Sequence, residues 1–248
     1  MEISGDSGAL KFHHPTTVLI SGPTGCGKTK FVSRLLLHSK EMFQPSPTRI
    51  VWVYAEWQPE YDRIEKLPCV GSRIEFKENG LNRDLYESFR PDEKNLLVLD
   101  DQMSNDGSCQ SRAISQSRRT ILQQLFTQGS HHRSLSIIYV VQNLFDQGGF
   151  SRTISLNSQY IVLFKNPRDA GQIRYLAQQV YPKNSQFLVD SYTDATIDPY
   201  SYMMLNLTQC CPDWARVCSH VFPDESNEYY IPYSMQIPSD FCLWSITI

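Results

Sequence analysis

Apolar and polar positions fall in blocks along this chain that predict strands and helices by turns. The run 16–21, TTVLIS, is β-branched and apolar, as a strand buried in a parallel sheet should be. After a glycine-rich turn, TKFVSRLLL places Phe31, Val32, Leu35 and Leu36 on one stripe of a helix. RIVWVYAE, from Arg49 to Glu56, predicts a second buried strand, entered through the turn-rich QPSPT. A weaker strand is predicted from Ser72 to Phe76. NLLVLDDQM, from Asn95, predicts a short apolar strand ending in two acids, and the polar SNDGSCQS after it predicts a loop. RAISQSRRTILQQLFTQG predicts a helix with Ile114, Ile121, Leu122, Leu125 and Phe126 apolar and Gly129 as its stop. LSIIYVVQN and SQYIVLFKN predict two more buried strands, DAGQIRYLAQQVYP another helix, and YSYMMLNL a late strand.

Strands alternating with helices predict an α/β fold, a mostly parallel central sheet flanked by helices on both faces. Ligands of such sheets bind beyond the carboxyl ends of the strands. The polar residues that interrupt the apolar runs fall there. No repeat, low-complexity tract or linker divides the chain, so one domain is expected over residues 1–224. The tail 225–248 has no legible role, and its aromatics fit either a neighbouring subunit or the cover of a sheet edge.

The turn after the first strand carries chemistry. Gly22, Pro23, Thr24, Gly25, Cys26, Gly27, Lys28 and Thr29 satisfy G-x-x-x-x-G-K-[ST], with the strand before and the helix after that this motif needs. Glycines let the backbone fold until its N–H groups point at one anion, and the helix N-terminus adds positive potential there. Lys28 is expected on the β- and γ-phosphates of bound ATP, and the Thr29 hydroxyl on a Mg²⁺ ion. The acids that end NLLVLDD emerge beside this loop. Asp100 is assigned to the metal and Asp101 to a water aimed at the γ-phosphate. Alternation alone does not decide which acid faces the metal. The next strand ends in Gln142, whose amide can donate and accept at once and so touch both water and γ-phosphate. A strand with a polar tip inserted after the acidic motif marks the P-loop branch that hydrolyses nucleotide.

Composition changes this picture little. The 248 residues suffice for one large α/β domain with a full core. A net charge of -3 means that any contact with nucleic acid must be local. Seven cysteines, with no C-x-x-C pair and one inside the phosphate loop, predict reduced thiols in an intracellular compartment. Cys210, Cys211, Cys218 and His220 have the right types for zinc, but their spacing fits no common structural site. The opening MEISGDSGAL shows no signal sequence, and no apolar run reaches transmembrane length.

SGPTGCGKT, LLVLDDQM, GSHHRSLSIIYVVQNLF and FKNPRDAGQIRYLAQQVYP resemble, in order and spacing, the FtsK–HerA superfamily of DNA-pumping P-loop ATPases, which are RecA-like in fold. The likeness is strongest to the genome-packaging ATPases of Polinton/Maverick elements, virophages and related double-stranded DNA viruses. It covers about Thr16 to Asp224, including DSYTDATIDPYSYMMLNLTQ and RVCSHVFPDE. The phosphate-loop and acidic motifs are common to all P-loop proteins; the HHRSLSIIYVVQNLF and NPRDAGQI blocks are more specific. The resemblance implies a ring, hexameric or pentameric, with ATP at each subunit interface, duplex DNA in the pore, and capsid or portal-type partners. It implies placement in the host nucleus, in a cytoplasmic virus factory or with the virion.

It also implies an arginine supplied in trans just before the strand that ends in Gln142, the position of Arg133, with Arg152 and Arg168 as the other candidates. Arg168 and Asp169 have a plainer reading as the cap where NPRD enters a helix. A local basic cluster of Arg112, Arg118 and Arg119 with His131 and His132 would line the pore, binding DNA phosphates without regard to sequence. A solvated helix face accounts for the same cluster. Two other functions share the phosphate loop. A small-molecule kinase would need an acceptor pocket and an arginine-rich lid, and VVQN after the acidic strand speaks against it. A scaffold whose nucleotide only controls assembly would hydrolyse ATP slowly and indifferently to DNA.

Overall fold

The computed structural model describes residues 10–67, 73–100, 119–129, 133–145, 149–232 and 246–247. The first half of the chain forms β1 (Phe12–His13), β2 (Thr17–Ser21), α1 (Lys28–Leu37), α2 (Ser39–Met42), β3 (Phe43–Gln44), β4 (Arg49–Tyr54), α3 (Pro59–Ile64), β5 (Arg73–Glu78), α4 (Arg83–Ser88) and β6 (Asn95–Asp100). Helix α5 covers 119–124 and continues as a π-helical turn over Leu125–Gly129. There follow β7 (Leu135–Val141), α6 (Gly149–Asn157), β8 (Tyr160–Phe164), α7 (Ala170–Val180), α8 (Ser185–Ala195), β9 (Tyr202–Asn206), β10 (Val217–Ser219), β11 (Glu228–Tyr230) and β12 (Ile246–Thr247).

The main sheet runs β12-β11-β10-β9-β8-β2-β7-β6-β4-β5. From β8 to β5 every neighbouring pair is parallel, as the alternation of strands and helices predicts. At the other end β9 is antiparallel to β8, β10 to β9 and β11 to β10. Beyond residue 224, Glu228–Tyr230 and Ile246–Thr247 thus continue the same sheet. Tyr230 also donates from its hydroxyl to Asp194 of α8 at 3.1 Å, and Arg34 of α1 pairs with Asp224 and Glu225.

Period-two alternation sorts the strand residues onto two cores. Leu19, Val51, Leu97, Ile137 and Ile161 face α4, α5, α7 and α8. Ile20, Trp52, Val98, Ile138 and Val162 face α1 and α3. Both faces are covered, which is why the central strands read as unbroken apolar runs rather than alternating ones. The stripe predicted on α1 is the buried one: Phe31, Val32, Leu35 and Leu36.

One polar feature crosses the lower edge of the sheet. The His14 ring stands with Nδ1 2.6 Å from the Ser136 hydroxyl and Nε2 3.0 Å from that of Ser134. Burial, with the Lys94 charge adding to it, lowers the His14 pKa below 6.5. The folded chain therefore keeps this ring neutral at pH values where the unfolded chain protonates it. Its contribution to stability is complete above pH 6.5 and falls as pH drops through the lowered folded value. Thermal melts should show the midpoint decreasing below pH 6.5, before carboxylates titrate, and His14→Gln should flatten that segment. An unchanged slope in the variant would count against this role.

Candidate active site

The register of the sheet assembles the site. Val140 of β7 pairs with Ile20 of β2 on one side and with Asp100 of β6 on the other. One rung thus carries three neighbouring strands to the carboxyl edge together. Two residues past that rung on β2 the chain turns at Gly22, and two past it on β7 stands Gln142.

The turn is packed as tightly as its glycines allow. A Cβ on Gly22 would meet Cys26 Sγ and Phe164 Cβ, each at 2.7 Å, too close for any side chain. Gly27 has φ 106, a left-handed conformation natural to glycine, and it caps α1 without a side-chain hydrogen bond. The first N–H groups of α1, as at any helix N-terminus, have no partner within the helix. The Lys28 ammonium donates to the carbonyls of Gly22 at 2.7 Å and Pro23 at 2.9 Å. Burial pushes the Cys26 thiol above its ordinary pKa, against the opposing pull of Lys28.

Asp100 is buried at the end of β6. Its Oδ2 accepts hydrogen bonds from the Thr29 hydroxyl at 3.3 Å and the Tyr61 hydroxyl at 2.9 Å. Carboxylate and hydroxyl are hard oxygen donors, a set that suits Mg²⁺ and not a soft metal. Lys28, Thr29, Asp100 and Gln142 line one cavity of about 320 Å³, large enough for a small ligand. Strand β7 lies between the phosphate-loop strand and the acidic strand. The fold is that of a P-loop NTPase.

No family model matches the sequence, and neither does any curated protein. Among solved structures, the chain is similar to the genome packaging NTPase B204 of Sulfolobus turreted icosahedral virus 2, bound to ATPγS, at 11% identity and TM-score 0.47. That overlap covers 88% of this chain and 98% of the other. The pCW3 conjugation coupling protein TcpA with ATPγS matches at 13% and 0.45, over 77% of this chain and 57% of that one. The RadB recombinase matches at 16% and 0.41, over 61% and 75%. Overlaps this low carry no residue role across, and the P-loop cleft stands on its own geometry.

The remaining sequence candidates are more dispersed. Asp101 lies outside the described residues, as do Arg112, Arg118, His131 and His132. Arg133 precedes β7, at the edge of the sheet opposite the cavity. Its guanidinium donates to the carbonyls of Glu87 at 3.2 Å and Phe89 at 3.3 Å and lies 4.4 Å from the centre of the Tyr86 ring. Arg152 is exposed on α6, and Arg168 is exposed just after β8, on the cavity's edge of the sheet.

The NPRDAGQI block holds the segment that follows Gln142. Asp169 caps α7 by accepting from the Gln172 N–H at 3.2 Å, and it also takes the Gln172 amide at 2.6 Å. The Gln172 side-chain Oε1 in turn accepts from the Leu144 N–H at 2.9 Å. The capping reading of Asp169 thus describes what it does in the fold. Among the described residues no cluster of three His, Cys, Asp or Glu is placed to hold a metal, and burial pushes the Cys218 thiol up to about 12. No described helix is long and apolar enough to cross a membrane.

Sequence reasoning passed over Tyr61, which reaches Asp100 from α3, and over Glu60 and Tyr200, which also line the cavity. Tyr61 and Ile64 do stand at helical spacing in PEYDRI. That pattern announces a buried face and says nothing of the hydroxyl's partner.

Proposed function

We propose that this chain is an ATP-hydrolysing DNA translocase of the FtsK–HerA superfamily that packages a double-stranded viral or viral-like genome, of Polinton/Maverick type, into a capsid. The observation that supports it most is the single cavity lined by Lys28, Thr29, Asp100 and Gln142, from motifs in the order that superfamily uses. In this reading the loop N–H groups and Lys28 hold the triphosphate. Lys28 then exchanges two neutral carbonyls for charged phosphate oxygens, which are the stronger acceptors. Thr29 and Asp100 hold Mg²⁺, which when bound neutralises charge on the transferring phosphoryl group. Asp101 takes the proton of the attacking water, and Gln142 touches that water and the γ-phosphate. Arg133 of a neighbouring subunit in a hexameric or pentameric ring completes the site. To do so it gives up the carbonyls of Glu87 and Phe89. Arg112, Arg118 and Arg119, with His131 and His132, line the DNA channel, and capsid or portal-type proteins receive the DNA.

Phosphate release measured with and without duplex DNA tests this reading. Duplex of any sequence should stimulate release, and added salt should weaken the stimulation. Subunits carrying Arg133→Ala mixed with subunits carrying Lys28→Ala should recover activity at the mixed interfaces. A phosphorylated acceptor in place of free phosphate, or slow hydrolysis indifferent to DNA, would overturn the motor. Failure to recover at any mixing ratio, with the ring intact, would remove Arg133 from the trans role.

A further inference from the structure

Among the described residues, Tyr200 is the one aromatic that lines the cavity, and the phosphate chemistry leaves it unused. It stands between α8 and β9 with φ 67, a left-handed conformation that strains a bulky residue. The residue is 69% exposed, more than any other large apolar residue among those described. Strain and exposure both cost stability, and strained residues of this kind concentrate where ligands are gripped. The loop is nonetheless fixed. Ser201 donates to the Asp198 carbonyl from its N–H at 3.4 Å and its hydroxyl at 2.7 Å, while its own carbonyl accepts from Lys165 N–H at 3.4 Å. The Tyr200 Cβ lies 3.7 Å from where a Cβ on Gly27 would stand, so the residue sits against the phosphate loop itself.

The cleft also has a direction. Asp100 and Gln142 stand at the ends of β6 and β7, to one side of the loop strand β2. Tyr200 precedes β9, which lies beyond β8 on the other side. A nucleotide whose terminal phosphate faces Gln142 sends its base toward Tyr200.

We infer that Tyr200 is a base-binding residue, its ring stacking on the base of a nucleoside triphosphate held by the loop. The inference rests on the proposed nucleotide reading of the cleft. Every base offers a π-face, so the stack adds affinity to ATP and GTP alike.

Binding titrations with Mg·ATP, Mg·GTP and Mg·tripolyphosphate separate the base from the phosphates. Tyr200→Asn removes the ring and tolerates the left-handed backbone. It should weaken ATP and GTP by about tenfold and leave tripolyphosphate unchanged, which also reports an intact loop. Tyr200→Phe should bind all three as the native chain does, and Lys28→Ala should lose all three. Equal losses of ATP and tripolyphosphate in Tyr200→Asn would show that the residue acts only through the loop's shape and would overturn the inference. Native affinity for ATP in that variant would overturn it too. A native chain that binds neither ATP nor tripolyphosphate would end the nucleotide reading itself, and this inference with it.

Discussion

Lys28→Ala should lower ATP turnover by at least about a hundredfold, with little change in thermal midpoint. The small structural cost follows from what Lys28 does in the folded chain. Its ammonium donates to two loop carbonyls, at 2.7 and 2.9 Å, in a half-buried position. Losing such bonds costs about 1 kcal/mol each, and water can replace them in part. The large functional cost follows from what those carbonyls are standing in for. In the proposed reading they hold the positive charge beside the cavity until phosphate oxygens replace them, and no other residue type reaches as far with one compact charge. Phosphate-release assays beside thermal melts check both halves. A variant that unfolds would show that Lys28 holds the loop together. A folded variant with native turnover would remove it from the chemistry.

Asp100→Asn has the second-largest expected effect. The substitution keeps size and keeps an oxygen that accepts from Thr29 and Tyr61. It removes the charge. A buried carboxylate is costly unless a cation stands beside it, and this one ends β6 with 3% of its surface exposed, beside the cavity that Lys28 lines. The variant should bind ATP in the presence of a chelator as the native chain does, but gain nothing from added Mg²⁺. Its hydrolysis should fall by about a hundredfold or more. A native response to Mg²⁺ would move the metal to other oxygens.

Much of this was legible along the chain because the elements and motifs concerned are local. Strands β2, β4, β6, β7 and β8 and helices α1 and α7 show the apolar runs and stripes that burial on two faces demands. The phosphate loop and the end of β6 are contiguous residues whose neighbours in space follow from a parallel sheet. Helix α8 was not legible, because its inner face is Leu188, Ser191, Tyr192 and Ala195. A serine, an alanine and a tyrosine blur the apolar stripe. Helix α6 buries Ile154 and Ser155 while leaving Leu156 64% exposed, so its pattern misleads. Strands β1 and β3 are two residues each, too short to have a period. In the site, the missing pieces were those joined only by tertiary structure. Tyr61 meets Asp100 across 39 residues of chain, and Tyr200 meets Gly27 across a sheet that must first be built.

The central claim is that the glycine-rich loop, the acid that ends β6 and the amide after β7 serve a single bound triphosphate. An experimental structure with Mg²⁺ and a non-hydrolysable ATP analogue tests it most directly. The Lys28 ammonium should have left Gly22 and Pro23 for phosphate oxygens, with the terminal phosphate between it and Gln142. An analogue bound elsewhere, with Lys28 still on those two carbonyls, would contradict the claim.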